Sequence, residues 1–281
     1  MGYRASGWLT RLLAVVALAA LGSGAASAAD RSLPAGRATY RLAVRNASTD
    51  HVNYMMYVPP EGSPPAGGWP LILFLHGTEQ RGDDPSMLKD LDILTFADEQ
   101  GHFPFVAVVP QCPRGQQWSP SVLKQLLDAV QASVPVDRRR IYLTGFSMGG
   151  FGTWQTAAAL PGTFAAIAPL CGPRDLPDVP ALTGLPVWVF HGAQDRNVPL
   201  ADSLAMVEAL RKAGGTPRLT VYPDFPHDIW TITYRDSRLY LWFLSHSLPA
   251  GPASGEAGAD DGTAVSRMAA SSRSSDALLD R

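Results

Sequence analysis

The pentapeptide at residues 145–149, Gly-Phe-Ser-Met-Gly, carries the strongest chemical signal in the sequence. Residues 140–144 before it predict a buried strand, and residues 151–160 after it predict a helix. A serine between two glycines at a tight strand-to-helix turn sits in a strained conformation with its hydroxyl exposed. The pattern therefore predicts that Ser147 is a nucleophile. The alternative is a glycine–serine loop that only caps the following helix.

A serine hydroxyl needs a neighbouring base, which is normally a histidine oriented by a carboxylate. Three histidines follow Ser147 in the chain. His227 lies in a proline-containing loop after the predicted strand 218–222, where a base would reach the carboxyl edge of a sheet. His191 ends another apolar strand, which favours a structural role, and His246 lies in a predicted helix. The sequence thus favours His227 as the base, with an ordinary surface histidine as the alternative.

Asp195 is the preferred partner for this base, because it opens the loop after the predicted strand 187–191. Asp224 and Asp228 are rivals, since they are close to His227 in sequence. The acid of such a triad usually comes from a different strand end, and the chain order of serine, acid and histidine favours Asp195. A structural alternative is that Asp195 only caps the next helix.

A tetrahedral oxyanion needs backbone N–H donors. Met148, the residue after the predicted nucleophile, would supply one donor. The loop after the predicted strand 70–76 would supply the other, because Gly77 allows a sharp turn and Thr78, or Gly77 itself, can present an N–H group. His76 ends this strand and precedes the serine in the chain. We expect it to fix the loop rather than to react.

In this order, these motifs resemble the α/β-hydrolase superfamily over about residues 40–247. The nearest branch is that of secreted esterases and "predicted peptidases", near the phospholipase/carboxylesterase and prolyl oligopeptidase-like families. The resemblance implies a triad of Ser147, Asp195 and His227, and it implies the mechanism better than the substrate. The residues that carry it are Leu75-His76-Gly77-Thr78, Val109-Pro110-Gln111-Cys112, Trp118, Thr144-Gly145-Phe146-Ser147-Met148-Gly149-Gly150, Pro169-Leu170-Cys171-Gly172, His191-Gly192 with Asp195, and His227 with Trp230.

Strands and helices alternate over residues 38–248, which predicts an α/β catalytic domain whose mostly parallel central sheet has helices on both faces. Together with the resemblance, this order predicts the α/β-hydrolase fold. Two of the predicted helices are a helical stretch near 86–98 and a final helix at 234–247. The active site of such a sheet is expected at the carboxyl ends of the strands.

About sixteen residues separate the predicted strands 165–170 and 187–191, which is too few for a large cap domain. We therefore expect an open site that suits short acyl groups or esters on polymers. Trp118 and Trp230 are candidates for its walls, although tryptophans are also ordinary core residues.

Residues 1–28 have the features of a cleavable secretory signal peptide. Arg4 and Arg11 precede or enter a short apolar stretch at 12–21, and a small-residue cleavage site follows. The stretch is too short to span a bilayer comfortably, so an uncleaved anchor is the less favoured alternative. We expect a secreted or periplasmic protein with no stable membrane insertion after cleavage. Cleavage would change the formal charge from −2 to −4 without leaving a basic block, which argues against nucleic acid as a partner.

Cys112 and Cys171 follow two apolar strands in the exported part of the chain. Because export permits oxidation, the sequence predicts a disulfide between them, with two separate buried thiols as the alternative. Residues 249–281 are rich in Gly, Ala, Ser and Asp, and this composition predicts a disordered tail.

Taken together, these patterns predict a secreted serine hydrolase that cleaves small-molecule or polymer-borne carboxylic esters through an acyl-enzyme intermediate. Neither a metal nor an organic cofactor is required. A serine peptidase of the prolyl oligopeptidase-like kind is the alternative within enzymes. A non-catalytic binding protein on a hydrolase scaffold is the alternative from another class, and the complete predicted triad argues against it.

Overall fold

The computed structural model describes residues 35–45, 47–60, 63–172 and 179–250. The predicted signal peptide and nearly all of the predicted tail lie outside these ranges. The strands are β1 (Gly36–Ala43), β2 (His51–Val58), β3 (Trp69–Leu75), β4 (Val106–Pro110), β5 (Val136–Phe146), β6 (Ala166–Leu170), β7 (Trp188–Gly192) and β8 (Arg218–Tyr222). The helices are α1 (Asp92–Glu99), α2 (Pro120–Ser133), α3 (Met148–Ala159), α4 (Leu200–Lys212), α5 (Trp230–Tyr234) and α6 (Ser237–Leu244).

The eight strands form one sheet in the order β1-β2-β4-β3-β5-β6-β7-β8. β1 and β2 pair antiparallel, as do β2 and β4, and every pairing from β4 to β8 is parallel. The predicted α/β class with a mostly parallel sheet is therefore confirmed. Because parallel strands end at one edge of a sheet, the loops after β3, β5, β6, β7 and β8 meet there.

The sheet is buried on both faces, and β3 shows how the sequence achieves this. Its apolar run has no polar positions because alternate side chains enter different cores. Ile72 and Phe74 join the cluster formed with α1, α5 and α6, whereas Leu71, Leu73 and Leu75 join the cluster formed with α2, α3 and α4.

Three predicted elements differ from the structure. The helical stretch predicted near 86–98 is a 3₁₀ turn at Pro85–Leu88 followed by α1 at Asp92–Glu99. β5 begins five residues before the predicted strand at 141–145, because Val136 pairs with Trp69 at the start of β3. The single helix predicted at 234–247 is two short helices. Asp236 ends the first by capping the second, since its carboxylate accepts a hydrogen bond from the Arg238 backbone N–H at 2.9 Å.

The connection from β6 to β7 adds no cap domain in the part of it that the structure describes. Residues Val179–Leu182 form a single 3₁₀ turn there. None of the helices in the described ranges is both long and apolar enough to cross a membrane.

The predicted disulfide is wrong, because Cys112 and Cys171 are separate free thiols and both are buried. Cys112 follows β4 and Cys171 follows β6, and two strands lie between these in the sheet. Three strand spacings amount to about 14 Å, whereas the Cα atoms of a disulfide lie within about 7 Å of each other. The two thiols also belong to cores on opposite faces of the sheet.

The sheet order predicts that both cysteines stay reduced in the folded protein. After denaturation without reductant, iodoacetamide should modify both Cys112 and Cys171, and intact mass should match that of a sample reduced before alkylation. A major species that has lost two hydrogens and takes up no label without reductant would contradict this strand order.

Candidate active site

Ser147 sits at the turn between β5 and α3 in a conformation that L-residues rarely adopt. Its φ is 55° and its ψ is −119°. The backbone N–H of Ser147 donates to the Leu170 carbonyl at 3.0 Å, which ties the turn to the end of the neighbouring strand β6. Strain of this kind persists only where the surrounding structure enforces it, and it is concentrated at functional sites.

The two glycines that flank Ser147 are required by close backbone contacts. A Cβ atom on Gly149 would overlap the carbonyl oxygen of Leu75, the last residue of β3. A Cβ atom on Gly145 would lie 2.6 Å from the carbonyl oxygens of both Leu75 and Gly149. The absence of these side chains lets the first turn of α3 rest directly on the sheet, with Ser147 above its edge.

A continuous hydrogen-bonded chain joins a serine, a histidine and an aspartate at this edge. The Ser147 Oγ atom lies 2.9 Å from His227 Nε2, and His227 Nδ1 lies 2.6 Å from Asp195 Oδ2. His227 comes from the loop after β8 and Asp195 from the loop after β7. These loops can meet because Gly192 has no side chain to overlap the Pro226 carbonyl oxygen.

The Asp195 carboxylate is fully buried and is held by its own loop. Its Oδ1 atom accepts backbone hydrogen bonds from Asn197 at 2.8 Å and Val198 at 2.9 Å. The rival acids Asp224 and Asp228 are exposed. The geometry therefore favours Asp195 as the partner of His227.

His191 has a contact that the sequence did not reveal. Its Nε2 atom lies 3.2 Å from Asp195 Oδ2, and the ring is completely buried. The interpretation of His191 as a residue that merely closes a strand is thus incomplete. A four-residue spacing between a strand-end histidine and an aspartate was the available signal.

The loop after β3 is fixed beside Ser147 by His76. The His76 Nδ1 atom lies 2.6 Å from the Gly77 carbonyl, and His76 Nε2 accepts the Cys112 backbone N–H at 3.0 Å. Burial lowers the pKa of His76 to about 4, so the ring is neutral at neutral pH. This is the loop-fixing role that the sequence predicts for His76.

The two predicted oxyanion donors lie at the start of helical turns beside Ser147. Met148 is the first residue of α3, and Thr78 is the first residue of the 3₁₀ turn Thr78–Gln80. The first N–H groups of a helix have no acceptor inside it, so both groups are suited to bind an oxyanion. The Gln111 side chain steadies this turn by donating to the Gln80 carbonyl at 2.9 Å.

Ser147 and His227 open into a cleft of about 490 Å³. Trp230 forms part of its wall, with its ring 4.6 Å from that of Phe146 and edge-on to the His227 imidazole at 5.8 Å. The cleft is wide enough for a small ester or for the end of a substituent on a polymer.

Trp118 does not line this cleft, so its prediction as a wall residue is wrong. The ring is buried below the loop after β3, where Trp118 Nε1 donates to the His76 carbonyl at 3.2 Å. It also packs against Gly152 of α3, where a side chain would overlap the indole. Trp118 packs on the face of the sheet that α2 and α3 cover. From there it supports the loop after β3 without reaching the cleft.

The cleft carries negative charge that the sequence reasoning missed. Three of the residues that line the cleft are acids, namely Glu79, Asp90 and Asp92. Among the described residues, the lining includes no lysine or arginine. Asp92 is half-buried, which raises the pKa of its carboxyl group. A cleft with this lining favours neutral or cationic substrates over anionic ones.

Cys171 lies behind the triad. Its thiol, Asp195 and His227 offer potential ligand atoms that are all within 4.8 Å of one another. Burial raises the pKa of the thiol to about 12, so it is not a thiolate at neutral pH. Because the Asp195 and His227 atoms already share a 2.6 Å hydrogen bond, this group fits a triad with a buried neighbour better than it fits a metal centre.

The fold and the site have clear counterparts among known proteins. The sequence profile of the dienelactone hydrolase family matches residues 112–233, which include all three residues of the hydrogen-bonded chain. The solved structure of a thermostable esterase superposes with a TM-score of 0.67 at 28% sequence identity, covering 75% of this chain and 63% of that one. The chain belongs to the α/β-hydrolase superfamily.

Two curated relatives of this α/β-hydrolase are polymer-degrading enzymes by name. The bifunctional acetylxylan esterase/xylanase XynS20E of Neocallimastix patriciarum is 32% identical over 152 residues, which are 50% of this chain and 21% of that protein. The poly(3-hydroxyoctanoate) depolymerase of Pseudomonas fluorescens is 26% identical over 181 residues, which are 52% of this chain and 63% of that protein. This α/β-hydrolase thus spans about a fifth of the first relative and less than two thirds of the second.

The geometry predicts that Asp195→Asn leaves the fold intact and slows ester turnover by roughly 10³-fold or more, because the imidazole loses the acceptor that fixes its tautomer. The matched control is Asp224→Asn, which makes the same chemical change at an exposed position of the histidine loop. Initial rates with p-nitrophenyl acetate and thermal melting of both variants test this. If Asp224→Asn slowed turnover more than Asp195→Asn does, the assignment of Asp195 as the acid would be wrong.

Proposed function

We propose that the protein is a serine esterase that hydrolyses carboxylic esters through an acyl-enzyme intermediate. The observation that carries this proposal is the chain of hydrogen bonds from Ser147 through His227 to Asp195, at 2.9 Å and 2.6 Å. It ends on a strained nucleophile turn, which is the arrangement that activates a serine hydroxyl.

In the proposed reaction, His227 takes the proton of the Ser147 hydroxyl as its oxygen attacks the ester carbonyl. The backbone N–H groups of Met148 and Thr78 stabilise the oxyanion of the tetrahedral intermediate. His227 then gives the proton to the departing alcohol, which leaves an acyl group on Ser147. A water molecule, deprotonated by His227, releases the carboxylic acid and restores the serine.

The residues that line the cleft favour ester substrates with a small acyl group and a polar, uncharged alcohol. It is lined by three carboxylates together with the amides Gln80 and Asn197, groups that hydrogen-bond well to hydroxyls. Trp230 offers an aromatic face beside them. The similarity to an acetylxylan esterase agrees with an acetyl ester on a hydroxyl-rich polymer as substrate.

Export is part of the proposal, because residues 1–28 have the pattern of a signal peptide. Peptidase activity is the alternative to test beside it. A panel should contain acetylated xylan, p-nitrophenyl acetate, an ester with an anionic acyl group, and a chromogenic peptide amide. If the protein cleaved only the peptide amide, peptidase activity would replace the esterase proposal.

Ser147→Ala should lower kcat on p-nitrophenyl acetate by roughly 10³-fold or more, because the covalent route is lost. A fluorescent fluorophosphonate should label the native protein and leave this variant unlabelled. The control is Ser133→Ala, which removes an exposed hydroxyl at the end of α2 and keeps the nucleophile. A folded Ser147→Ala variant with near-native activity would refute the proposed mechanism.

The proposal also predicts how activity depends on pH. His227 must be neutral to accept a proton, so kcat/KM should fall as pH decreases, through a single ionisation. His227→Gln should abolish activity, whereas His246→Gln, two residues after the end of α6, should leave the profile unchanged. The midpoint should be the same for two unrelated ester substrates. A flat profile down to pH 5 would mean that another group is the base.

A further inference from the structure

His191 occupies an unusual position among the residues behind the proposed triad. It lies at the carboxyl end of β7, its ring is completely buried, and both ring nitrogens have polar neighbours. Nδ1 lies 2.7 Å from the hydroxyl of Ser203 in α4. Nε2 lies 3.0 Å from the Val198 carbonyl and 3.2 Å from Asp195 Oδ2.

These neighbours fix the hydrogen on one nitrogen. The Val198 carbonyl and the Asp195 carboxylate can only accept hydrogen bonds, so Nε2 must carry the hydrogen. In the neutral ring Nδ1 is then an acceptor, and the Ser203 hydroxyl donates to it. The Nε2 hydrogen is donated to the Val198 carbonyl, and the Asp195 oxygen that receives the His227 Nδ1 hydrogen lies 3.2 Å from the same nitrogen.

The Asp195 carboxylate therefore accepts three hydrogen bonds and has the His191 Nε2–H group as a fourth close neighbour. Two backbone N–H groups approach Oδ1, while His227 and His191 approach Oδ2. A carboxylate has about four lone-pair sites, so the arrangement leaves it little freedom to rotate. His191 also binds the carbonyl of Val198, and the backbone N–H of the same residue is one of the two donors to Oδ1.

We infer that His191 is a positioning residue of the active site, which holds the Asp195 carboxylate in place and moderates how strongly it binds the His227 imidazole. The inference rests on the proposed esterase function. His191 does not contact substrate in this role. It acts through Asp195, whose Oδ2 atom lies 2.6 Å from His227 Nδ1 and 3.2 Å from His191 Nε2.

The direction of its effect follows from the chemistry of Oδ2. A polar N–H group 3.2 Å from this oxygen offsets part of the negative charge that would otherwise stabilise an imidazolium at His227. Loss of the His191 N–H group should strengthen the hold of Asp195 on protonated His227. His227 then becomes a usable base only at higher pH, and the acid limb of kcat/KM moves upward.

Other groups near His227 do not change when His191 is substituted. The Cys171 thiol lies behind the pair, the exposed Asp228 carboxylate is next in sequence, and Glu79, Asp90 and Asp92 line the same cleft. Each affects the absolute midpoint of the profile equally in the native and variant proteins. The difference between the two midpoints therefore isolates the effect of His191.

The test compares His191→Leu with His191→Gln in the full chain. His191→Leu removes the donor and should lower kcat about 10-fold to 100-fold, the effect expected for one hydrogen bond to a charged group, with KM nearly unchanged. Its acid limb should move to higher pH. His191→Gln carries an amide N–H that can reach the same oxygens, and it should recover part of kcat and part of the midpoint shift.

Thr156→Val is the matched control, because it also replaces a buried polar side chain by an apolar one, and the Thr156 hydroxyl has no hydrogen-bond partner among the described residues. It should keep the native kcat and midpoint. A folded His191→Leu variant with native kcat and midpoint would overturn the inference, and so would a loss of kcat with an unmoved midpoint. An inactive native protein would instead refute the esterase proposal.

The native protein allows a test that does not depend on variants folding. At pH 8, a long-range ¹H–¹⁵N correlation spectrum of histidine-labelled protein should show His191 with its hydrogen on Nε2. His191 is assigned by comparing spectra of the native protein and of His51, His76, His102, His227 and His246 single variants. A hydrogen on Nδ1 of His191 would remove the contact to Asp195 on which the inference depends.

Discussion

The contact between the first turn of α3 and the carboxyl end of β3 determines the rest of the active site. Gly149 lies against the Leu75 carbonyl so closely that no side chain fits between them. Since the helix starts in contact with the sheet, the chain must turn within one residue, and Ser147 takes the strained conformation with φ of 55°. The exposed position of the nucleophile is thus a consequence of backbone packing.

This packing also sets the electrostatics of the site. The amino end of α3 points at the cleft, with the Met148 N–H group at its first position. The partial positive charge of a helix amino end favours an oxyanion in front of it. Three acids line the same cleft, and one of them, Glu79, directly follows Thr78, so positive partial charge is local to the backbone N–H groups where negative charge would develop. Such a division suits a neutral ester that becomes anionic only in the intermediate.

The features that the sequence predicts well are those that depend on local backbone geometry. The strand-to-helix turn at Ser147 needs glycines at fixed positions, and the loops that carry Asp195 and His227 follow apolar strands.

The predictions that failed depend on the order of strands in the sheet. The proposed bridge between Cys112 and Cys171 needs β4 and β6 to be adjacent, and they have two strands between them. The position of Trp118 likewise depends on which face of the sheet α2 covers, which the residues around it do not encode.

His76 and His191 show why such strand ends carry histidines. Each lies fully buried after an apolar strand, and each has polar neighbours at both ring nitrogens. A neutral imidazole is both a donor and an acceptor, so one side chain can satisfy two groups of a loop that leaves the sheet edge. An asparagine is too short to span the same pair, and a lysine only donates. Burial lowers the pKa of His76 to about 4, which keeps its acceptor nitrogen free through the pH range in which His227 would work. The loops of the proposed oxyanion site and acid are thus held by the same residue type that serves as the base, with burial separating the two roles.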